Sequence, residues 1–284
     1  MRLRTLIVVS GLALAVVSVL PARPAAEEPP NTLASVLAAG QPAIGIWTGA
    51  MGAPRITKVL ATSDLDFIVA DVEHDIYDFR TLHSFLLEVP DFNSRYRTQP
   101  RPAPTVLIKL GHRAGWDPRF EIAESMRVGP AGGIWVPVVE SPAELERIIS
   151  IFMYAEQSLL QGANSPPTHE VSELWPLNPN GKLMVVAMIE TEEGVKNAKE
   201  IIETPGLAAV HTVHITQAQA EQVLKLCLER NVIAGTNANP SNIKARLAAG
   251  YKLISLGSDF GMLQGQLRNS LKEMRSAIPP SGGR

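Results

Sequence analysis

Leu183–Glu190 reads LMVVAMIE, seven apolar residues in a row closed by a carboxylate. A strand with one face in water alternates apolar and polar side chains. An unbroken apolar run is what a parallel strand needs when both of its faces are covered. Working outward from it, short apolar runs recur at Ala43–Thr48, Asp66–Asp71, Thr105–Lys109, Gly133–Pro137, Leu207–Val213, Val232–Ala234 and Lys252–Leu256. Helical patterns lie between them. Ser141-Pro142-Ala143-Glu144 is a capping box with proline at the first helical position. Gln217–Arg230 carries Ala220, Val223, Leu224 and Cys227 on one stripe. Asn239-Pro240 opens a further helix that Gly250 ends. Eight strand signals alternating with helices predict an α/β fold, a single closed (β/α)8 TIM barrel. An open doubly wound sheet is the alternative, but no glycine fingerprint follows the first strand. Two stretches rich in proline and polar residues, Pro90–Pro104 and Gln161–Gly181, read as loops.

The chain has 284 residues, which admits one or two domains, and a barrel of about 250 residues takes nearly all of it. With 45% hydrophobic and 19% charged residues the composition is that of a folded protein. A net charge of −2 gives no basic surplus for nucleic acid. The single cysteine, Cys227, excludes an intrachain disulfide and any zinc site that needs several thiolates. It falls on a helical apolar stripe and reads as core.

The front end differs from the rest. Arg2 and Arg4 precede an apolar run, Leu6–Leu20, and Ala22, Ala25 and Ala26 follow. A basic start, a short apolar middle and a small-residue end describe a secretory signal peptide, and the run is short for a membrane-spanning helix. The alternative is an uncleaved N-terminal anchor. The expected organisation is a signal peptide at 1–26, a polar linker at 27–30, the barrel at 31–278 and a flexible tail at 279–284. The expected location is outside the cytoplasm, in the periplasm. Without residues 1–26, basic residues number 23 against 28 acidic ones.

Barrel enzymes place their chemistry at the C-terminal strand ends. That rule selects Trp47, then Asp71, Glu73 and His74, then Lys109 with His112 and Arg113 just beyond, then Glu190, His211 and His214, and Asn237 and Asp259 last. Asp71-Val72-Glu73-His74 is the densest group. A histidine is the usual base near neutral pH, and a carboxylate fixes its tautomer. The plainer reading of Glu73 and His74 is a solvated loop. Glu190 ends a buried-looking run, where a carboxylate must pair or bind a cation, and its oxygens suit magnesium or manganese; an ion pair with Lys109 or Arg113 is the alternative. His211 and His214 could share a metal, but an ideal strand points them to opposite faces. Lys109 could hold a substrate carboxylate or form a Schiff base.

Five segments carry a resemblance: Gly45-Ile46-Trp47; Asp66–Arg80, reading DFIVADVEHDIYDFR; Trp116-Asp117-Pro118 with Gly133–Pro137; Met188-Ile189-Glu190-Thr191; and Leu256-Gly257-Ser258-Asp259. Together they resemble the HpcH/HpaI aldolase family, related to the citrate lyase β subunit. The resemblance implies a metal-dependent class II aldolase. It acts on a 2-oxo acid such as pyruvate and an aldehyde, and a divalent cation stabilises the enolate. It implies magnesium, manganese or cobalt bound by Glu190, His74 as acid/base and Asp71 as its orienter. It also implies a basic residue, Lys109 or Arg113, beside the oxygen charge, Trp47 as a pocket wall and Asp117 as a lesser polar contact. An oligomer formed through the C-terminal helix, Phe260–Ile278, is expected, with neither nucleic acid nor membrane as partner beyond export.

Three departures stand out. Lys109 falls where the family has an arginine. The acid and glycine expected after the sixth strand are missing from Val210–Gln217, VHTVHITQ. An arginine–glycine stretch expected before the fifth strand is missing too. His214 or His211 replacing the lost acid would bring zinc or cobalt into range. Three functions therefore remain open: a lyase acting through an enolate, an exported, non-catalytic carboxylate-binding protein on an altered barrel, or a different lyase or hydrolase using His211 and His214.

Overall fold

The computed structural model describes residues 32–74, 78–111, 117–161 and 173–278. Arg113 and the segments at 1–26, 27–30 and 279–284 lie outside them. Among the described residues there are nine parallel strands: β1 (Ala43–Thr48), β2 (Phe67–Asp71), β3 (Thr105–Lys109), β4 (Gly133–Val136), β5 (Leu174–Trp175), β6 (Leu183–Ile189), β7 (Leu207–Thr212), β8 (Ile233–Asn237) and β9 (Leu253–Ser258). Pairing runs β4-β3-β2-β1-β9-β8-β7-β6, and β4 pairs in turn with β6. The sheet closes on itself as an eight-stranded barrel. β5 is a two-residue addition at the edge of β6.

The helices are α1 (Thr32–Ala38), α2 (Pro54–Thr62), α3 (Phe79–Tyr96), α4 (Pro118–Arg127), α5 (Pro142–Gln161), α6 (Glu192–Lys196), α7 (Ala198–Ile202), α8 (Gln217–Arg230), α9 (Ile243–Ala249) and α10 (Asp259–Ser276). Strand alternation divides the core. Phe67, Val69, Leu107, Trp135 and Met188 fill the barrel, with Leu33 and Leu37 of α1 packed against the same cluster. Ile68, Ala70 and Ile108 face outward onto Leu82, Phe85 and Val89 of α3. β2 and β3 are thus covered on both sides, which is why their sequences do not alternate. Gly45 is forced by this packing: a Cβ there would meet the Phe67 ring at 2.4 Å.

Several local expectations change. The proline-rich segment 90–104 does not begin a loop, because α3 runs through Pro90 to Tyr96. Asp78 caps its start, and Leu82, Phe85, Leu86 and Val89 bury one stripe, which outweighs the hydrogen bond that Pro90 removes. The segment 161–181 contains β5. The helix signalled by Asn239-Pro240 begins later, at Ile243, because the Asn239 side chain accepts the Ser241 N–H and holds a turn first. Its expected end holds: Gly250 caps α9 at φ 109°. α8 matches Gln217–Arg230, and Val223, Leu224 and Cys227 are buried.

α10 stands apart. It has 18 residues and none is buried. Phe260, Leu263, Leu267, Leu271 and Met274 recur at helical spacing and are exposed. On the barrel's outer face Ile44 of β1 and Leu256 of β9 remain 38% and 40% exposed. Among the described residues no helix is long and apolar enough to cross a membrane.

Candidate active site

β2 and β3 lie in register with Asp71 opposite Lys109, so two charged side chains meet at the C-terminal mouth of the barrel. Asp71 then folds the chain that follows it. Its Oδ1 accepts the N–H groups of Glu73 at 3.1 Å and His74 at 3.2 Å. That turn brings the His74 ring back, and Asp71 Oδ2 lies 2.9 Å from His74 Nδ1. Lys109, only 2% exposed, places Nζ 2.6 Å from Glu73 Oε2 and 3.4 Å from Asp71 Oδ2. It also lies 3.2 Å from His74 Nδ1. Asp71, which only accepts, and Lys109, which only donates, both face Nδ1; donation from Nδ1 to the nearer Asp71 oxygen leaves the Lys109 approach without a hydrogen bond and the Nε2 lone pair free. The His74 side chain is 69% exposed, so that nitrogen is open to a ligand.

A cavity of about 680 Å³ adjoins this group, lined among others by Trp47, Thr48, Asp71, His74, Asp259 and Leu263. Thr48 Oγ1 donates to Asp259 Oδ2 at 2.6 Å and ties the start of α10 to the mouth. The Trp47 ring lies 4.9 Å from Lys109 Nζ, a cation–π distance. Trp47, Asp71 and His74, selected from the sequence at two strand ends, therefore share one cavity.

The remaining expected residues do not join them. Glu190 is half-buried, and its Oε1 accepts the Val138 N–H at 2.9 Å. An ion pair to Lys109 was the alternative for it, but Lys109 is held by Glu73 and Asp71. Val138 itself sits at φ 50°, unusual for a β-branched residue. His214 is exposed at φ 59° beyond the end of β7, whereas His211, within β7, is fully buried inside the barrel, so the two histidines do not share a site. Asp117, expected as a polar substrate contact, instead caps α4 and pairs with Arg119 and Arg147. Its carboxyl is held below the usual range by the Arg119 side chain first, and it does not line the cavity.

Among the described residues, one group of three ligand-type side chains has donor atoms within 4.8 Å of one another: Asp71, Glu73 and His74. Glu190 and His214 belong to no such group. The group suits a divalent ion by donor type and by charge, since two carboxylates face one ammonium.

One nearby residue escapes sequence reasoning. Glu121 of α4 is 1% exposed, and its Oε1 accepts the N–H of Gly111, two residues after Lys109, at 2.7 Å. Burial first, with the Glu73 charge adding to it, pushes its carboxyl up to about 7. An acid in the first turn of a helix reads as a solvated dipole partner. Only its place beside Ile122 and Ser125, both buried, hints otherwise.

The sequence profile of the HpcH/HpaI aldolase/citrate lyase family matches residues 44–214. The chain belongs to this family. The match ends at His214, beside the strand end where the expected acid is missing. A hydroxypyruvate/pyruvate aldolase of Roseovarius nubinhibens is 24% identical over 268 residues, covering 87% of this chain and 98% of that protein. A 5-keto-4-deoxy-D-glucarate aldolase of Shigella sonnei is 24% identical over 256 residues, 83% of this chain and 93% of its own length. The crystal structure of an HpcH/HpaI aldolase from Desulfitobacterium hafniense superposes with a TM-score of 0.68 at 18% identity. It covers 88% of this chain and 99% of the other, so the HpcH/HpaI barrel is shared almost end to end.

Proposed function

We propose that the chain is a carbon–carbon lyase that cleaves or forms the bond beside a 2-oxo acid, with an aldehyde as the second product or reactant. The observation that carries this reading is the Asp71–His74 pair, 2.9 Å apart, opening onto the cavity walled by Trp47. His74 exchanges the proton through Nε2, while Asp71 fixes the ring and steadies its protonated form. Buried Lys109 holds both carboxylates in place and sets a positive charge beside the developing oxyanion. The aldolase activities named for the relatives support the substrate class.

A divalent ion, expected to be magnesium, manganese or cobalt, would be held by the carboxylates of Asp71 and Glu73; zinc would draw on a histidine as well. When bound it would act as a Lewis acid on the oxygens of the 2-oxo acid. Glu190, the ligand implied by resemblance, and His214, the suggested replacement for the missing acid, belong to no group of three donors among the described residues. The same loss of the acid after β7 favours the second reading, a carboxylate-binding protein without turnover.

The proposed setting is the periplasm, supported by Arg2 and Arg4 ahead of Leu6–Leu20. The proposed assembly is a homo-oligomer in which α10 of one copy covers the outer face at Ile44 and Leu256 of another. The exposed stripe of α10 supports it.

The test is release of pyruvate from a panel of 4-hydroxy-2-oxo acids, followed by a coupled dehydrogenase with manganese present. Release by the wild type that falls at least 100-fold in His74→Ala is expected. Release that is absent, or unchanged in the variant, contradicts the lyase.

A further inference from the structure

Four buried side-chain nitrogens on three neighbouring rings lack a hydrogen-bond partner: Trp47 Nε1, Trp135 Nε1, and Nδ1 and Nε2 of His211. They belong to three rings packed inside the barrel. The His211 centroid lies 5.6 Å from Trp47 and 5.1 Å from Trp135, and the two indoles are 5.6 Å apart. The Thr236 backbone and the Asn237 side chain approach His211 without meeting hydrogen-bond geometry. Gly235 leaves the imidazole its room, since a Cβ there would come within 3.1 Å of His211 Cδ2. Each unmet buried N–H costs roughly 1–3 kcal/mol, and so many in one place call for an explanation.

The chemistry of the atoms says what is missing. An indole N–H only donates. Burial pushes His211 down to about 3, so it is neutral and offers one further N–H and one acceptor nitrogen, which leaves three donors against one acceptor. The cluster is therefore rich in donors, with the Lys109 ammonium 4.9 Å from the Trp47 ring. The partner that completes it is an acceptor oxygen, preferably anionic. Trp47 is the only one of the three rings that reaches the cavity.

We propose that Trp47, Trp135 and His211 form a subsite for a carboxylate oxygen of the ligand. The oxygen enters from the cavity as the half-buried Trp47 ring turns, and the indole N–H groups donate to it. The inference rests on the proposed 2-oxo acid reading for the ligand, but not on turnover.

The experiment is calorimetric titration of the full chain with oxalate, paired with thermal unfolding and tryptophan fluorescence. His211→Leu keeps the side-chain volume and deletes two of the unmet atoms. Trp135→Phe deletes a third and serves if the first variant does not fold. Oxalate affinity is expected to fall five- to tenfold in either variant, with the unfolding midpoint of His211→Leu unchanged or raised. A binding-linked change in tryptophan emission in the wild type is expected as well. Unchanged affinity in the variants would mean that internal water completes the cluster, and it would overturn the proposal, as would failure of the wild type to bind oxalate. Binding that depends on these residues in a protein that never releases pyruvate upholds the subsite and removes only the lyase.

Discussion

Asp71 illustrates how one residue organises a site. Its two oxygens take the N–H groups of Glu73 and His74, the His74 ring and a share of the Lys109 charge. Glu121, one loop away, gives a prediction that needs no substrate. Its carboxyl sits near 7 in the folded chain against 4.5 when free. Between those values the native state keeps a proton that the unfolded chain has lost. The stabilisation is fully present below about pH 4.5 and is lost as the pH rises through about 7, a change of about 3 kcal/mol. Glu121→Gln keeps an acceptor for Gly111 and removes the titration. Urea unfolding at pH 5 and pH 8 is expected to show the wild type losing stability relative to the variant at pH 8. Equal slopes with pH would contradict the account of this carboxyl. At this scale the sequence was partly legible. The spacing of Asp71 and His74 announced their pairing, because three residues is the reach of a side chain back over its own turn. The partner of Glu190 was not legible, because it is a backbone N–H 52 residues away.

Elements were more legible than their ends. Ala43–Thr48 and Thr105–Lys109 are the strands that the apolar runs mark, and β8 extends past its signal only because Thr236 and Asn237 look like loop residues. α3 defeats the proline rule through the stripe that it buries, which composition alone does not weigh. α10 carries the prediction proper to this scale. A helix with no buried residue and a stripe from Phe260 to Met274 needs a covering surface. Leu267→Asp with Leu271→Asp is expected to convert the assembled protein into monomers in light scattering, with the barrel's circular dichroism retained. A monomeric wild type, or an assembly that the double variant leaves intact, contradicts the proposed role of α10.

The whole molecule combines a shared barrel with an altered mouth. Closure of eight strands follows from local pattern, since each apolar run demands cover on both faces. The chemistry at the mouth depends on convergence between β1, β2, β3, β4 and β7, which no local pattern encodes. The measurement that bears most directly on the account is proton exchange at the pyruvate methyl group. Protein is incubated with pyruvate in deuterium oxide and followed by nuclear magnetic resonance, with and without manganese. The account predicts exchange in the wild type, a loss of at least 100-fold in His74→Ala, and a manganese response that disappears in Glu73→Gln and persists in Glu190→Gln. Absence of exchange under every condition, or exchange indifferent to His74, would contradict it.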